Sequence, residues 1–196
     1  ATNSQEIFDH VNEFGGDCIL VEDECATGTD RVARANKLLG YDYVINVQGD
    51  EPIIDPLTII QVFASIKSTD SQVVNCMARI FERSDFFSES IPKVVVDKFN
   101  QLLYASRSAI PGSKGAEFIT AMKQICVYGF SRQVLDSFFE WGVKSPLESI
   151  EDIEILRFLE NGVTVSMLEV DGSSRAVDTR EDLDLVRALV ARRETP

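Results

Sequence analysis

The run Tyr41-Asp42-Tyr43-Val44-Ile45-Asn46-Val47-Gln48-Gly49-Asp50-Glu51-Pro52-Ile53-Ile54-Asp55-Pro56 changes character twice over a short span. Tyr43 to Val47 is β-branched and aromatic without a charge, the pattern of a buried strand. It stops at Gly49, two acids and a proline, after which Asp55-Pro56 supplies a cap and a first-turn residue for a helix. The carboxylates therefore stand at the carboxyl end of a central strand, the edge of an open α/β sheet where ligands bind. An acid beside a residue with no side chain suits a hard cation bridging to a phosphate. Taken alone, the same residues also describe a strand that ends in a solvated acidic turn. Their neighbours must decide.

Upstream, Asn3 or Ser4 can cap a helix whose Ile7, Phe8, Val11 and Phe14 share a face, and Gly15-Gly16 stops it. His10 lies off that face, a solvated position. Cys18 to Val21 reads as a short strand, and Glu22-Asp23-Glu24 as a solvated loop. In Ala26-Thr27-Gly28-Thr29-Asp30-Arg31, Thr29 or Asp30 can cap a helix with Val32, Ala35, Leu38 and Leu39 inward and Gly40 at its end. Its N-terminal amides suit an anion, and Arg31 adds a cation in the first turn. Downstream, Pro56 opens a helix with Ile59, Ile60, Phe63 and Ile66 buried, and Val73 to Ala78 is the next strand. This alternation predicts an α/β fold with a mostly parallel sheet.

The second half differs. Lys93 to Asp97 and Leu102 to Ser106 flank a turn, which predicts a hairpin. Pro111-Gly112-Ser113-Lys114-Gly115 is a loop by composition. Gln124 to Phe130 reads as a strand and Arg132 to Phe139 as a helix, with Trp141 as a packing residue. A helix is predicted from Pro146 to Asn161-Gly162. Its Leu147, Ile150, Ile153 (or Glu154) and Leu156 cannot share one face, so it contacts protein on more than one side. A strand at Val163 to Val170 and a helix capped at Thr179 complete the chain.

The sequence has 196 residues, which suits one domain, and is 44% hydrophobic and 26% charged. No apolar run is long enough to span a bilayer. A net charge of −13 argues against a nucleic-acid partner but not against a nucleotide, which needs only a few local cations. Cys18, Cys25, Cys76 and Cys126 show no paired or metal-binding spacing, which fits a reduced, cytoplasmic protein, with Cys18 and Cys126 as small core residues. With His10 as its one histidine, the chain offers no histidine base for catalysis.

Several segments together carry a resemblance. They are Gly28-Thr29-Asp30-Arg31, Asn46 to Pro52, Lys93-Val94-Val95, Tyr104 to Pro111, Pro146-Leu147-Glu148 through Arg157, Leu159 to Gly162, and Val177-Asp178-Thr179 with Glu181-Asp182-Leu183. In this order, over essentially the whole chain, the set resembles the 3-deoxy-manno-octulosonate (Kdo) cytidylyltransferases. The resemblance implies a three-layer, mostly parallel nucleotide-binding sheet of the nucleotide-diphospho-sugar transferase kind. It implies one domain over residues 1–196, with residues 93–130 as a sugar-binding and dimerisation region, and a homodimer. The implied reaction moves CMP from CTP to the anomeric hydroxyl of an acidic sugar and releases pyrophosphate, with Mg²⁺ as cofactor. Asp50 and Asp178 would be the metal ligands. Arg31, Gln48 and Gly49 would lie at the nucleotide, with Gln48 also at the sugar. Arg107 would take the sugar acid, an arginine fork being suited to a carboxylate. Lys123 and Gln124 would border the sugar, and Glu148 and Glu151 would accept from its hydroxyls. First-turn acids that favour the helix dipole are the alternative reading of those two glutamates.

The sequence departs from the family in two places. It matches from the end of the family's second strand, so the first strand, the phosphate-gripping loop and the helix after it are expected in a longer natural chain. A chain lacking them by nature would be a non-catalytic sugar-nucleotide-binding module. Gln124 stands where the family has a histidine that helps hold the sugar, and Ala105 stands where it has phenylalanine, which is expected to widen the space there. A nine-carbon, sialic-type acid is the alternative substrate. A metal-dependent glycosyltransferase is disfavoured, because Asp50 lacks an Asp-x-Asp partner.

Overall fold

The computed structural model describes residues 1–68, 71–115, 117–172, 174, 176–177 and 179–193. Six strands form one sheet: β1 (Tyr43–Val47), β2 (Val73–Ile80), β3 (Lys93–Val96), β4 (Leu102–Ser106), β5 (Ala121–Ser131) and β6 (Val165–Glu169). Their order is β4-β3-β5-β2-β6, with β1 also paired to β5. Pairing is less parallel than the alternation of elements suggests. β2 and β6 are parallel, but β5 runs antiparallel to β1, β2 and β3. Alternation dictates which elements form, whereas a long connection leaves the direction of the returning strand open. The predicted hairpin is β3–β4, turned by Asp97, whose Oδ1 accepts from the amides of Phe99 and Gln101.

Eight helices complete the described residues: α1 (Gln5–Glu13), α2 (Gly28–Leu39), α3 (Pro56–Ser68), α4 (Arg83–Phe87), α5 (Arg132–Trp141), α6 (Pro146–Glu151), α7 (Ile155–Glu160) and α8 (Arg180–Arg193). Residue alternation along the strands divides the core in two. Val74, Cys76, Ala78, Ile125 and Val127 meet Val62 and Ile66 of α3. On the other face Val73, Met77, Tyr128 and Phe130 meet Val134, Leu135 and Phe138 of α5 and Ile155, Leu156 and Phe158 of α7. Trp141 packs against Phe138 and Phe158, as the sequence suggests. None of the helices is long and apolar enough to cross a membrane.

Several local expectations shift. Thr27, not Thr29 or Asp30, caps α2, accepting from the Asp30 amide. Leu38 and Leu39 are exposed; Ala35 is buried as expected, together with Ala33 and Asn36. On α3 the buried side is Thr58, Val62 and Ile66, while Ile60 and Phe63 are exposed. Gly129 explains that rotation, because a Cβ there would come within 2.9 Å of Val62 Cγ1. Cys18 to Val21 forms only an isolated parallel bridge, Thr2 to Leu20. Cys76 is the fully buried cysteine; Cys126 packs against the core as expected, while Cys18 is only partly covered.

The helix expected from Pro146 to Gly162 is two helices. Asp152 breaks it in the left-handed region at φ 52°. Ser145 and Glu148 form a capping box on α6. The break turns α7 so that Arg157, with no exposed surface, forks onto two acids. Its Nε and Nη2 donate to Glu148 at 2.6 and 2.7 Å, and Nη1 and Nη2 donate to Asp30 at 2.8 and 3.2 Å. The guanidinium also lies 3.8 Å from the centre of the Phe138 ring. One side chain thus joins α2, α5, α6 and α7. Arg157→Leu strands two buried carboxylates and is expected to lower stability by about 3–5 kcal/mol, read by urea denaturation. A loss below 1 kcal/mol would mean the acids find water or other partners.

Candidate active site

A cavity of ≈ 770 Å³ opens at a fork in the sheet. β2 follows one edge of β5, while the other edge is shared by β3 at its start and β1 at its end. Where β1 and β3 part, the Gln48 amide donates to the Cys126 carbonyl at 3.2 Å and the Gln124 amide to that of Pro92 at 2.9 Å. Gln48, Asp50, Arg107, Lys123 and Gln124 all line this space. They come from both halves of the chain, and the sequence singled out each of them.

The tip of the central strand is tied to the C-terminal segment. The Val177 amide donates to the Asp50 carbonyl at 2.8 Å, and the Ser174 hydroxyl donates to the Glu51 carboxylate. Asp178, the second expected metal ligand, lies outside the described residues. Burial raises the Glu51 carboxyl above the usual range, against the hydrogen bond from Ser174 and with the help of neighbouring Asp50. Burial, with Glu51 and Asp50 nearby, also pushes the Cys126 thiol up to about 12, so it stays protonated at neutral pH and is no nucleophile. Gly49 is exposed, with open space where a Cβ would stand.

Arg107 is held on all sides. Its Nε, Nη1 and Nη2 donate to the carbonyls of Glu151, Glu89 and Asp152 at 2.7, 3.1 and 3.1 Å. Three of its five N–H groups are thereby used, and two remain for a ligand. Lys93, buried and missed as a site residue, donates from Nζ to the carbonyls of Ser88 and Arg107. Burial, then the Arg107 charge, lowers its pKa. Lys144 also lines the cavity, 2.7 Å from Asp152.

Three side chains expected at the ligand do not line the cavity. Glu148 is fully buried against Arg157 and accepts from the Ser145 amide, so no oxygen reaches the cavity. Glu151 turns away from it, accepting from Tyr104, Ser106 and the Arg107 amide; burial opposes its ionisation, but these bonds outweigh that and hold its carboxyl below the usual range. Both acids position other groups. Arg31 donates to the Val21 carbonyl at 3.3 Å and does not line the cavity. Ala105 is fully buried in the core and does not line the cavity.

The anion site expected at the start of α2 is filled by the chain itself. Glu154 accepts from the amides of Gly28 and Thr29 at 3.2 and 3.0 Å and from Gln48 Nε2 at 3.4 Å. The sequence could not reveal this contact, because Glu154 is about 125 residues away and falls at an unforeseen helix break. A carboxylate at a helix N-terminus is favoured by the unpaired amides and the dipole. It also orients Gln48 at the cavity.

A forked α/β sheet with an acidic strand tip, fixed arginine and lysine cations, and a cavity at its strand ends has the architecture of a nucleotidyltransferase. Residues 1–167 match the family described as cytidylyltransferase. The 3-deoxy-manno-octulosonate cytidylyltransferase of Fusobacterium nucleatum is 34% identical over 95% of this chain and 76% of its own length. That of Thermodesulfovibrio yellowstonii is 38% identical over 94% and 78%. The solved CMP:2-keto-3-deoxy-manno-octonic acid synthetase complexed with CTP superposes with a TM-score of 0.89 at 30% identity, covering 97% of this chain and 78% of that one. The chain belongs to the cytidylyltransferase family.

Two substitutions test the site's electrostatics. Glu154→Ala leaves the first two amides of α2 without their carboxylate acceptor and should cost about 1–2 kcal/mol in denaturant unfolding. A raised folded-state pKa means that Glu51 contributes stability below its unfolded pKa and loses it as pH rises through the folded value. Glu51→Gln, which still accepts from Ser174, should therefore raise the melting temperature at pH 7, with the gain vanishing below about pH 4. A gain that persists in acid would show that the carboxyl's charge is not the cause.

Proposed function

We propose that this chain transfers CMP from CTP to the anomeric hydroxyl of a 3-deoxy-2-keto sugar acid, Kdo or a close analogue, with release of pyrophosphate, for surface polysaccharide synthesis. The observation that carries this reading is the meeting of Gln48 and Asp50 with Arg107, Lys123 and Gln124 around one cavity in a cytidylyltransferase fold. The residues present fit a divalent cation. The Asp50 carboxylate is a hard oxygen donor at the cavity, and its carbonyl anchors Val177, next to Asp178. Mg²⁺ is the cation proposed, with Asp50 and Asp178 as its protein ligands. Among the described residues no three His, Cys, Asp or Glu gather as a metal cage, and Mg²⁺ typically needs only one or two carboxylates, with phosphate and water oxygens completing its shell. When bound, it would neutralise triphosphate charge at the reacting phosphorus.

The remaining work falls to the chain. Arg107, clamped by three carbonyls, offers its two remaining N–H groups to the sugar carboxylate without having to be reorganised. Lys123 adds a cation on the same side. Gln48, steadied by Glu154, and Gly49 border both nucleotide and sugar, holding the attacking hydroxyl near the phosphorus. Residues 93–130 supply the sugar side of this single domain. The β3–β4 hairpin, which exposes Phe99 and Leu103, is the region on which a homodimer would close, and the protein would work in the cytoplasm.

Pyrophosphate release by the full natural chain, with CTP, Mg²⁺ and a panel of eight- and nine-carbon sugar acids, tests the reading. Release should need CTP, the cation and one sugar together, and Asp50→Asn or Asp178→Asn should each reduce it at least about a hundredfold while the fold persists. Near-normal activity in either variant would overturn the metal assignment. No release with any sugar would favour a binding module.

A further inference from the structure

The β2–β5 ladder slips between Asn75 and Cys76. Asn75 lies opposite Tyr128, but Cys76 lies opposite Ile125. At this slip the Asn75 side chain takes up two β5 carbonyls, its Nδ2 donating to those of Ile125 and Val127 at 2.9 Å each. Carbonyls accept and never donate, so the backbone determines which end of the Asn75 amide is nitrogen. Its Oδ1 must then receive, and it does so from Gln124 Nε2 at 2.9 Å, with the Tyr128 hydroxyl 3.5 Å from the same nitrogen. The direction of hydrogen bonding is thus passed from the β5 backbone through Asn75 to Gln124.

Gln124 is 7% exposed and lines the cavity. Its nitrogen is committed inward, and among the described residues its Oε1 receives no hydrogen bond. We infer that Gln124 is a specificity-determining residue which offers the cavity a hydrogen-bond acceptor and no donor, and so selects a sugar acid carrying an O–H or N–H donor at that point. A glutamine able to rotate its amide would accept either polarity. This one is locked, because reversing it would set its oxygen against Asn75 Oδ1 and leave that buried oxygen without its donor. A substrate group that only accepts, such as an ether, fluorine or second carboxylate, meets a lone pair there. The inference rests on the proposed sugar-acid transfer.

The test uses the full natural chain, CTP and Mg²⁺, with sugar acids in which one hydroxyl at a time is replaced by fluorine, which cannot donate, or by an amino group, which can. At one position fluorine should lower kcat/KM roughly tenfold or more relative to the amino analogue. In Gln124→Ala, and in Gln124→Met of similar length, that ratio should fall to near one. Because the readout is a ratio between substrates on one preparation, partial loss of folded protein does not affect it. An unchanged ratio in both variants, or no discriminating position in the wild type, overturns this inference and leaves the proposed reaction standing. Absence of turnover with every sugar overturns both.

Discussion

The guanidinium of Arg157 is the constraint on which the site's construction rests. Buried without solvent, it must satisfy its donors on protein, and it does so with Glu148 and Asp30 on two other helices. Those acids in turn have no cheaper partner than Arg157, since a carboxylate taken out of water is costly unless paired and hydrogen-bonded. The three charges therefore fix the starts of α2 and α6 relative to α7. With α7 in that position, Glu154 reaches the first amides of α2 and the side chain of Gln48. A buried ion network thus sets the geometry of a group at the cavity edge that it does not touch.

The sheet contributes the second constraint. β5 cannot pair β1 and β3 along the same length, so they divide its edge and leave a fork. The cavity occupies that fork, and Gln48 and Asp50, just past the end of β1, line it with Gln124 of β5. A slip in the opposite ladder, between β2 and β5, orders the amide at its floor. Catalytic geometry and local irregularity coincide here because regular pairing would leave no room for a ligand.

Polar side chains around the cavity are mostly committed before any ligand arrives. Arg107 is held by three carbonyls, with Lys93 and Glu151 gripping its own carbonyl and amide. Preorganised donors of this kind require little rearrangement when charge develops opposite them. Glu148 and Glu151, expected at the sugar, each face donors of the chain itself and hold Arg157 and the amide of Arg107.

By itself the sequence determined the alternating elements, the acidic tip at Asp50, the hairpin and the cluster Gln48, Arg107, Lys123 and Gln124, because strand, turn and cap signals are local and the ordered motifs span the chain. Tertiary structure alone decided the antiparallel course of β5, the break at Asp152, the rotation of α2 and α3, and the partners of Glu148, Glu151 and Glu154. Each of these depends on groups far apart in sequence. A buried arginine seeking acids, or Val62 fitting against Gly129, overrides local periodicity, since desolvated charge and close packing outweigh the small preferences that periodicity records.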